Sequence, residues 1–243
     1  MRRLLAISLA LNAIGLLAAI ALAIYGRQVA RAVVLQPARE RLATFFAANP
    51  IRPGDVVFLG DSLTDGARWE ELFPGLAVRN RGVPGDTTAD VLERLGPVTS
   101  GKPGQVFLMI GTNDLGFGAS VAATAERSAA ILETLRRETP GTRVVVLSVL
   151  PRRAADRARV EELNRALSRI AGEHGAEWID LYPGFLAPDG SIRDDLSNDE
   201  LHLTGTGYAA WQRRIAPRVE CRPERTCANC CSAPPGSALS TGG

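Results

Sequence analysis

Short apolar runs, several of them rich in β-branched residues, recur along this chain with helix-length gaps between them. Val56-Val57-Phe58-Leu59-Gly60, Val106-Phe107-Leu108-Met109-Ile110-Gly111 and Arg143-Val144-Val145-Val146-Leu147-Ser148-Val149 are apolar along nearly their whole length. That is the pattern of strands buried on both faces, as in a parallel sheet. With two weaker stretches they predict strands at 55–60, 76–79, 105–111, 143–149 and 176–181. Helical periodicity fills the gaps at 88–95, 119–138, 156–173 and 206–218, with Glu133, Arg136 and Arg137 opposite Ile131, Leu132 and Leu135. Strands alternating with helices predict an α/β fold, a parallel sheet covered on both faces. No internal repeat interrupts this order.

The first of these runs stops at Gly60-Asp61-Ser62-Leu63. A serine just past the carboxyl end of a strand stands where open α/β sheets bind ligands. Its hydroxyl is a poor nucleophile at neutral pH without a base, and histidine is the usual one. Of the two histidines, His174 lies in Gly172-Glu173-His174-Gly175, the end of a helix before a glycine stop, and reads as a solvated helix terminus. His202 lies in Asp199-Glu200-Leu201-His202, where the carboxylate three residues earlier is placed to fix the imidazole tautomer. Fixed donors for an oxyanion come from two further segments. Thr112-Asn113-Asp114 follows the third strand and offers a side-chain amide. Asn80-Arg81-Gly82-Val83-Pro84-Gly85 follows the second and offers a glycine N–H.

These blocks together resemble the SGNH, or GDSL, hydrolase superfamily from about residue 52 to 218. Gly60-Asp61-Ser62-Leu63, Gly82, Gly111-Thr112-Asn113-Asp114 and Asp199-Glu200-Leu201-His202 match its four blocks in order. The longer strings Asn80-Arg81-Gly82-Val83-Pro84-Gly85-Asp86-Thr87 and His202-Leu203-Thr204 are similar to those of the platelet-activating-factor acetylhydrolase-like esterases. The resemblance implies a flavodoxin-like three-layer α/β/α sandwich with a five-stranded parallel sheet. It implies Ser62 as nucleophile, His202 as general base and acid, and Asp199 as the residue orienting His202. It implies an oxyanion hole formed by the N–H groups of Ser62 and Gly82 and the side chain of Asn113. Trp69, Arg79 and Arg81 lie near the blocks but read equally well as packing or surface groups.

The expected activity is that of a serine ester hydrolase releasing a small acyl group, acetyl above all, from a carbohydrate or lipid-like alcohol. That chemistry requires no cofactor and no metal. A lysophospholipase, a thioesterase or an O-acyltransferase would use the same residues. A non-catalytic envelope binding module is the reading from a different class, and the complete set Ser62, Gly82, Asn113, Asp199 and His202 counts against it. A formal net charge of +2 argues against a nucleic-acid surface.

Met1-Arg2-Arg3 precedes Leu4 to Ile24, an uncharged run whose only polar side chains are Ser8 and Asn12. Roughly 20 apolar residues span a bilayer core. Residues 1–26 are therefore expected to form a signal-anchor transmembrane helix, with a cleaved signal peptide and a secreted product as the rival. Either form places the remainder outside the cytoplasmic membrane, periplasmic or otherwise extracytoplasmic. Residues 27–49 read as a helical stalk or linker ended by Asn49-Pro50, and 50–219 as the hydrolase domain. Residues 220–243 read as a cysteine-rich segment and then a flexible tail. All four cysteines, Cys221, Cys227, Cys230 and Cys231, fall there; disulfides, free thiols and a zinc site all stay open.

Overall fold

The computed structural model describes residues 2–30, 33 and 36–219 of the 243. The chain divides into two compact units, 1–49 and 50–243. The first contains α1 (Arg2–Ala30) and α2 (Gln36–Ala48). Among the described residues no helix is long and apolar enough to cross a membrane, so the transmembrane part of the expected fold is not supported there. The helix predicted for that role does form, over 29 residues, but much of the run Leu4–Ile24 has side chains outside the description. The cysteine-rich segment and tail, 220–243, also lie outside the described residues.

The second unit begins with β1 (Val56–Gly60), α3 (Ser62–Asp65), α4 (Trp69–Leu72) and β2 (Val78–Gly82). Then come α5 (Thr88–Glu93), α6 (Gly96–Ser100), β3 (Gln105–Met109), α7 (Thr112–Gly116), α8 (Val121–Glu138) and β4 (Arg143–Leu147). It ends with α9 (Arg157–Glu173), β5 (Glu177–Ile179), α10 (Tyr182–Phe185) and α11 (Gly205–Ile215). All five strands run parallel in the order β2-β1-β3-β4-β5. The α/β sandwich expected from the alternating pattern is therefore present.

Alternation along the strands divides the apolar residues between two cores. Phe58, Phe107, Met109, Val145 and Leu147 face one layer, with Trp69, Phe185, Trp211 and Ile215. Val57, Leu59, Val106, Leu108 and Val146 face the other, with Val91, Val98, Ile131, Leu135 and Ile170. Burying a side chain of this size contributes on the order of 1.5–3 kcal/mol, so neither face is left as an exposed sheet.

β2 lies at 78–82 rather than 76–79, extending two turns of pleat into Asn80-Arg81-Gly82. Polar residues hide it from a hydropathy reading, yet Phe58 pairs with Asn80 and Gly60 with Gly82 across the ladder. The strand order reverses between β1 and β3. Such switch points leave a crevice beyond the carboxyl ends of the strands. β1 ends at Gly60, two residues before Ser62, and β3 ends four residues before Asn113.

Candidate active site

Ser62 is the first residue of α3, and Asp61 caps that helix by accepting the Leu63 N–H at 3.0 Å. Asp61 is fully buried, and its other oxygen has no partner among the described residues. Loss of solvation by burial, reinforced by the nearby Asp86, pushes its carboxyl up to about 7 despite the opposing Leu63 bond. The short helix is held from two sides. Asn80 Nδ2 donates to the carbonyls of Thr64, Asp65 and Ala67 at 3.2, 3.0 and 3.3 Å. Trp69 Nε1 donates to the Thr64 carbonyl at 2.9 Å while its ring stacks on Phe58, centroids 3.7 Å apart.

His202 reaches this serine from the other end of the domain. Its Nε2 lies 3.0 Å from Ser62 Oγ, and its Nδ1 lies 2.7 Å from Asp199 Oδ2. Asp199 Oδ1 accepts the N–H groups of Leu201 and His202 at 3.0 and 2.7 Å. Glu200 between them adopts φ 61, which folds the chain tightly enough for one carboxylate to take both amides and the ring. The His202 hydrogen bond, with those two amides, lowers the Asp199 carboxyl below the ordinary range. An ionised Asp199 holds the proton on Nδ1 and leaves the Nε2 lone pair toward Ser62.

The expected oxyanion donors differ in what they bond. Ser62 N–H donates to no protein atom among the described residues. Asn113 Nδ2 donates one hydrogen to the Asp86 carbonyl at 2.9 Å, so its second remains available. Gly82 does not meet the expectation placed on it. Its N–H donates to Asn80 Oδ1 at 2.9 Å, and the residue is buried. A Cβ there would lie 2.1 Å from the Asp65 nitrogen, so glycine is required by the close approach of β2 to α3. Three residues on, Gly85 is half-buried, and its N–H has no partner among the described residues. Its φ of +79 is a conformation that favours glycine, and the carbonyl of the next residue, Asp86, is the one that accepts from Asn113. Both glycines stand in one quoted string, and only the Asn80 side chain distinguishes them.

The remaining predictions separate in the same way. His174 caps α9 and lies 3.5 Å from Glu133, away from Ser62's partners. Trp69 is fully buried packing. Arg79 pairs with Asp55 at 2.7 Å, before the start of β1, and Arg81 is buried. Arg94 and Thr88, which lie outside the motif blocks, and Asp114, which closes the asparagine block without an expected role, prove to brace the donor loops. Thr88 donates its N–H and hydroxyl to the buried Asp114 carboxylate at 2.9 and 2.5 Å, joining α5 to α7.

Residues 58–210 match the GDSL-like lipase/acylhydrolase family, more than half of the chain. The chain belongs to that family. It is 37% identical over 177 residues to platelet-activating factor acetylhydrolase IB subunit alpha1 of Bos taurus, covering 68% of this chain and 74% of the relative. To the alpha2 subunit of Rattus norvegicus it is 34% identical over 168 residues, covering 64% of this chain and 71% of the relative. A GDSL-like lipase of Bacteroides thetaiotaomicron shares the fold, with a TM-score of 0.65 at 24% identity over 74% of this chain and 95% of its own. Membership makes this GDSL protein an ester hydrolase of the acylhydrolase class.

Proposed function

We propose that this acylhydrolase is a serine esterase that removes an acetyl or similarly small acyl group from the oxygen of a carbohydrate or lipid-like alcohol. The observation that carries the reading is the line Asp199–His202–Ser62, with separations of 2.7 and 3.0 Å. In this reading Ser62 Oγ attacks the ester carbonyl carbon as its proton passes to His202 Nε2. The tetrahedral oxyanion accepts from the Ser62 N–H, from Asn113 Nδ2 and, in place of Gly82, from the Gly85 N–H. Collapse breaks the bond to the alcohol, which leaves with the proton from the imidazolium. Water then attacks the acyl-Ser62, gives a proton to His202, and the acid departs as Ser62 recovers its hydrogen. The acetyl preference draws on the relatives' own name, platelet-activating factor acetylhydrolase.

The test is a panel of p-nitrophenyl esters graded by acyl length, run on the detergent-solubilised full chain beside Ser62→Ala. Fast turnover of the acetate that disappears in Ser62→Ala supports the reading. Undiminished turnover in that variant rejects the mechanism, and a preference for long chains rejects the acetyl assignment.

We also propose that residues 1–26 anchor the protein, with 27–49 as stalk, 50–219 as an extracytoplasmic catalytic domain and 220–243 as tail. Supporting this are the uncharged run Leu4 to Ile24 in the sequence and the exposure of Leu11, Ile14, Leu16, Leu17, Ile20 and Leu22. Release of the protein from membranes by alkaline carbonate, or its resistance to protease added to cells whose cytoplasmic membrane alone is intact, would count against the anchor or its orientation.

A further inference from the structure

The proposed mechanism assigns three donor groups to the oxyanion, and each rides on a different segment. Ser62 follows β1, Gly85 lies in the turn after β2, and Asn113 follows β3. A hole for a developing charge works only when its donors are held in place beforehand, since reorganisation during the reaction forfeits the advantage. Misplacement of about 1 Å is enough to cost on the order of a hundredfold in rate. The structure therefore has to answer what holds three separate segments in register.

Arg94 touches the anchors of all three. It is the C-cap residue of α5, the helix that starts just beyond the Gly85-Asp86 turn. Its Nη2 donates to the carbonyl of Gly60, the last residue of β1 and two before Ser62, at 2.9 Å. The same nitrogen donates to the Arg81 carbonyl at the end of β2 at 3.0 Å. Its Nε donates to Asp86 Oδ2 at 2.6 Å. Asp86 is 1% exposed, and it is the residue whose carbonyl receives Asn113 Nδ2 at 2.9 Å. One guanidinium thus fixes the strand that delivers Ser62, the strand that leads into Gly85, and the residue that grips Asn113.

We propose that Arg94 is a positioning residue for the oxyanion hole, acting through Gly60, Arg81 and Asp86 without touching substrate. The inference rests on the hydrolase reading of Ser62. A planar fork of donors suits this task and an ammonium does not. Lysine carries the charge but lacks the rigid spacing that reaches two carbonyls and a carboxylate together. The other end of α5 is tied independently by Thr88 to Asp114, so loss of Arg94 slackens the turn without freeing the helix.

The test compares wild type, Arg94→Lys, Arg94→Ala and Ser62→Ala in the full chain with p-nitrophenyl acetate. The inhibition constant for phenylboronic acid, a mimic of the tetrahedral adduct at serine, is measured alongside. The proposal expects kcat to fall about 10- to 100-fold in Arg94→Lys with KM within about threefold, affinity for the boronate weakening in parallel. Arg94→Ala should fall further and recover in part with millimolar guanidinium. Wild-type kcat and boronate affinity in Arg94→Lys overturn the proposal. So does a loss that appears equally in KM and melting temperature and resists guanidinium, for Arg94 then only holds the fold. Equal turnover by wild type and Ser62→Ala instead overturns the hydrolase reading on which it rests.

Discussion

Replacing Asp199 by asparagine isolates the one task that the proposed mechanism gives this carboxylate. Asp199 Oδ1 accepts two backbone N–H groups and Oδ2 accepts the ring nitrogen. The amide oxygen can still take both backbone donors, but the amide nitrogen must then face His202 Nδ1. The flipped amide would point its nitrogen at two N–H groups, three donors with no acceptor, so the structure selects the first arrangement. A donor opposite Nδ1 forces the imidazole proton onto Nε2, where it points at Ser62 Oγ and the base is lost. Loss of the correct tautomer in a serine–histidine–aspartate site costs roughly 10⁴ in kcat, about 5.5 kcal/mol at 1.36 kcal/mol per decade. Asp199 and His202 are each about half exposed, 49% and 46%. Water there weakens the electrostatic support of the imidazolium but does not restore the tautomer, so a loss of about 10³–10⁴ is expected. The assay is steady-state turnover of p-nitrophenyl acetate, with fluorophosphonate labelling of Ser62 as a second readout and thermal melting as a control. Melting should hardly change, because both backbone bonds survive. A variant that keeps its melting temperature and more than a tenth of wild-type kcat refutes the tautomer argument.

Asn113→Ala removes one proposed oxyanion donor and should lower kcat by about 10²–10³ with a small change in KM; a KM effect alone would make Asn113 a binding group. Asp61 provides a pH test. Burial pushes its carboxyl up to about 7 in the folded state, from an ordinary value of 3.8. Its stabilising contribution is therefore complete below the lower value and is lost as pH rises through the upper one, by on the order of a few kcal/mol. Asp61→Asn keeps the Leu63 cap and removes the titration, so denaturant melts should show its stability gaining on wild type from pH 4 to 8; a difference independent of pH would disprove the shift. Gly82→Ala places a methyl 2.1 Å from the Asp65 nitrogen and should lower the melting temperature strongly or abolish folding; a variant that melts like wild type would show that β2 and α3 separate freely. Trp69→Ala loses a fully buried ring and the bond to the Thr64 carbonyl, for about 3–5 kcal/mol in a chemical denaturation curve; less than 1 kcal/mol would show that α3 needs no such support.

The strands β1, β3 and β4 were legible because burial on both faces leaves an unbroken apolar signature. β2 was misplaced by two residues because its last three positions serve the nucleophile turn rather than a core. Asn80 satisfies the carbonyls at the end of α3, and Arg81 is buried among polar groups, so neither looks like a strand residue. Ser62, His202 and Asp199, which the structure brings together, stand out in the sequence because few side chains perform that chemistry and each stands beside a recognisable strand end or turn. Gly82 and Gly85 show where such reading stops. The loop advertises two glycines, and an alignment of residue types assigns the amide to either. What separates them is the hydrogen bond that the Gly82 N–H donates to Asn80 Oδ1, two residues upstream, whereas the Gly85 N–H has no partner among the described residues.

The braces are invisible in the sequence for a related reason. Arg94 joins positions 8, 13 and 34 residues away, and Asp114 meets Thr88 across 26. In the linear text Arg94 is one more charged residue on a short helix, and Asp114 is only the last residue of the asparagine block. They acquire a role only when parallel strands bring their carboxyl ends side by side at the switch between β1 and β3. The parallel sheet makes that convergence unavoidable, and Arg94 reaches over the ends of β1 and β2 to the carbonyls of Gly60 and Arg81. The same groups that complete the backbone's hydrogen bonding thereby set the spacing of the donors, so stability and preorganisation of the site are tied to common residues. Substitutions at Arg94 and Asp86 should accordingly be non-additive in kcat, the double variant falling little further than either single one, because each alone already releases the same turn.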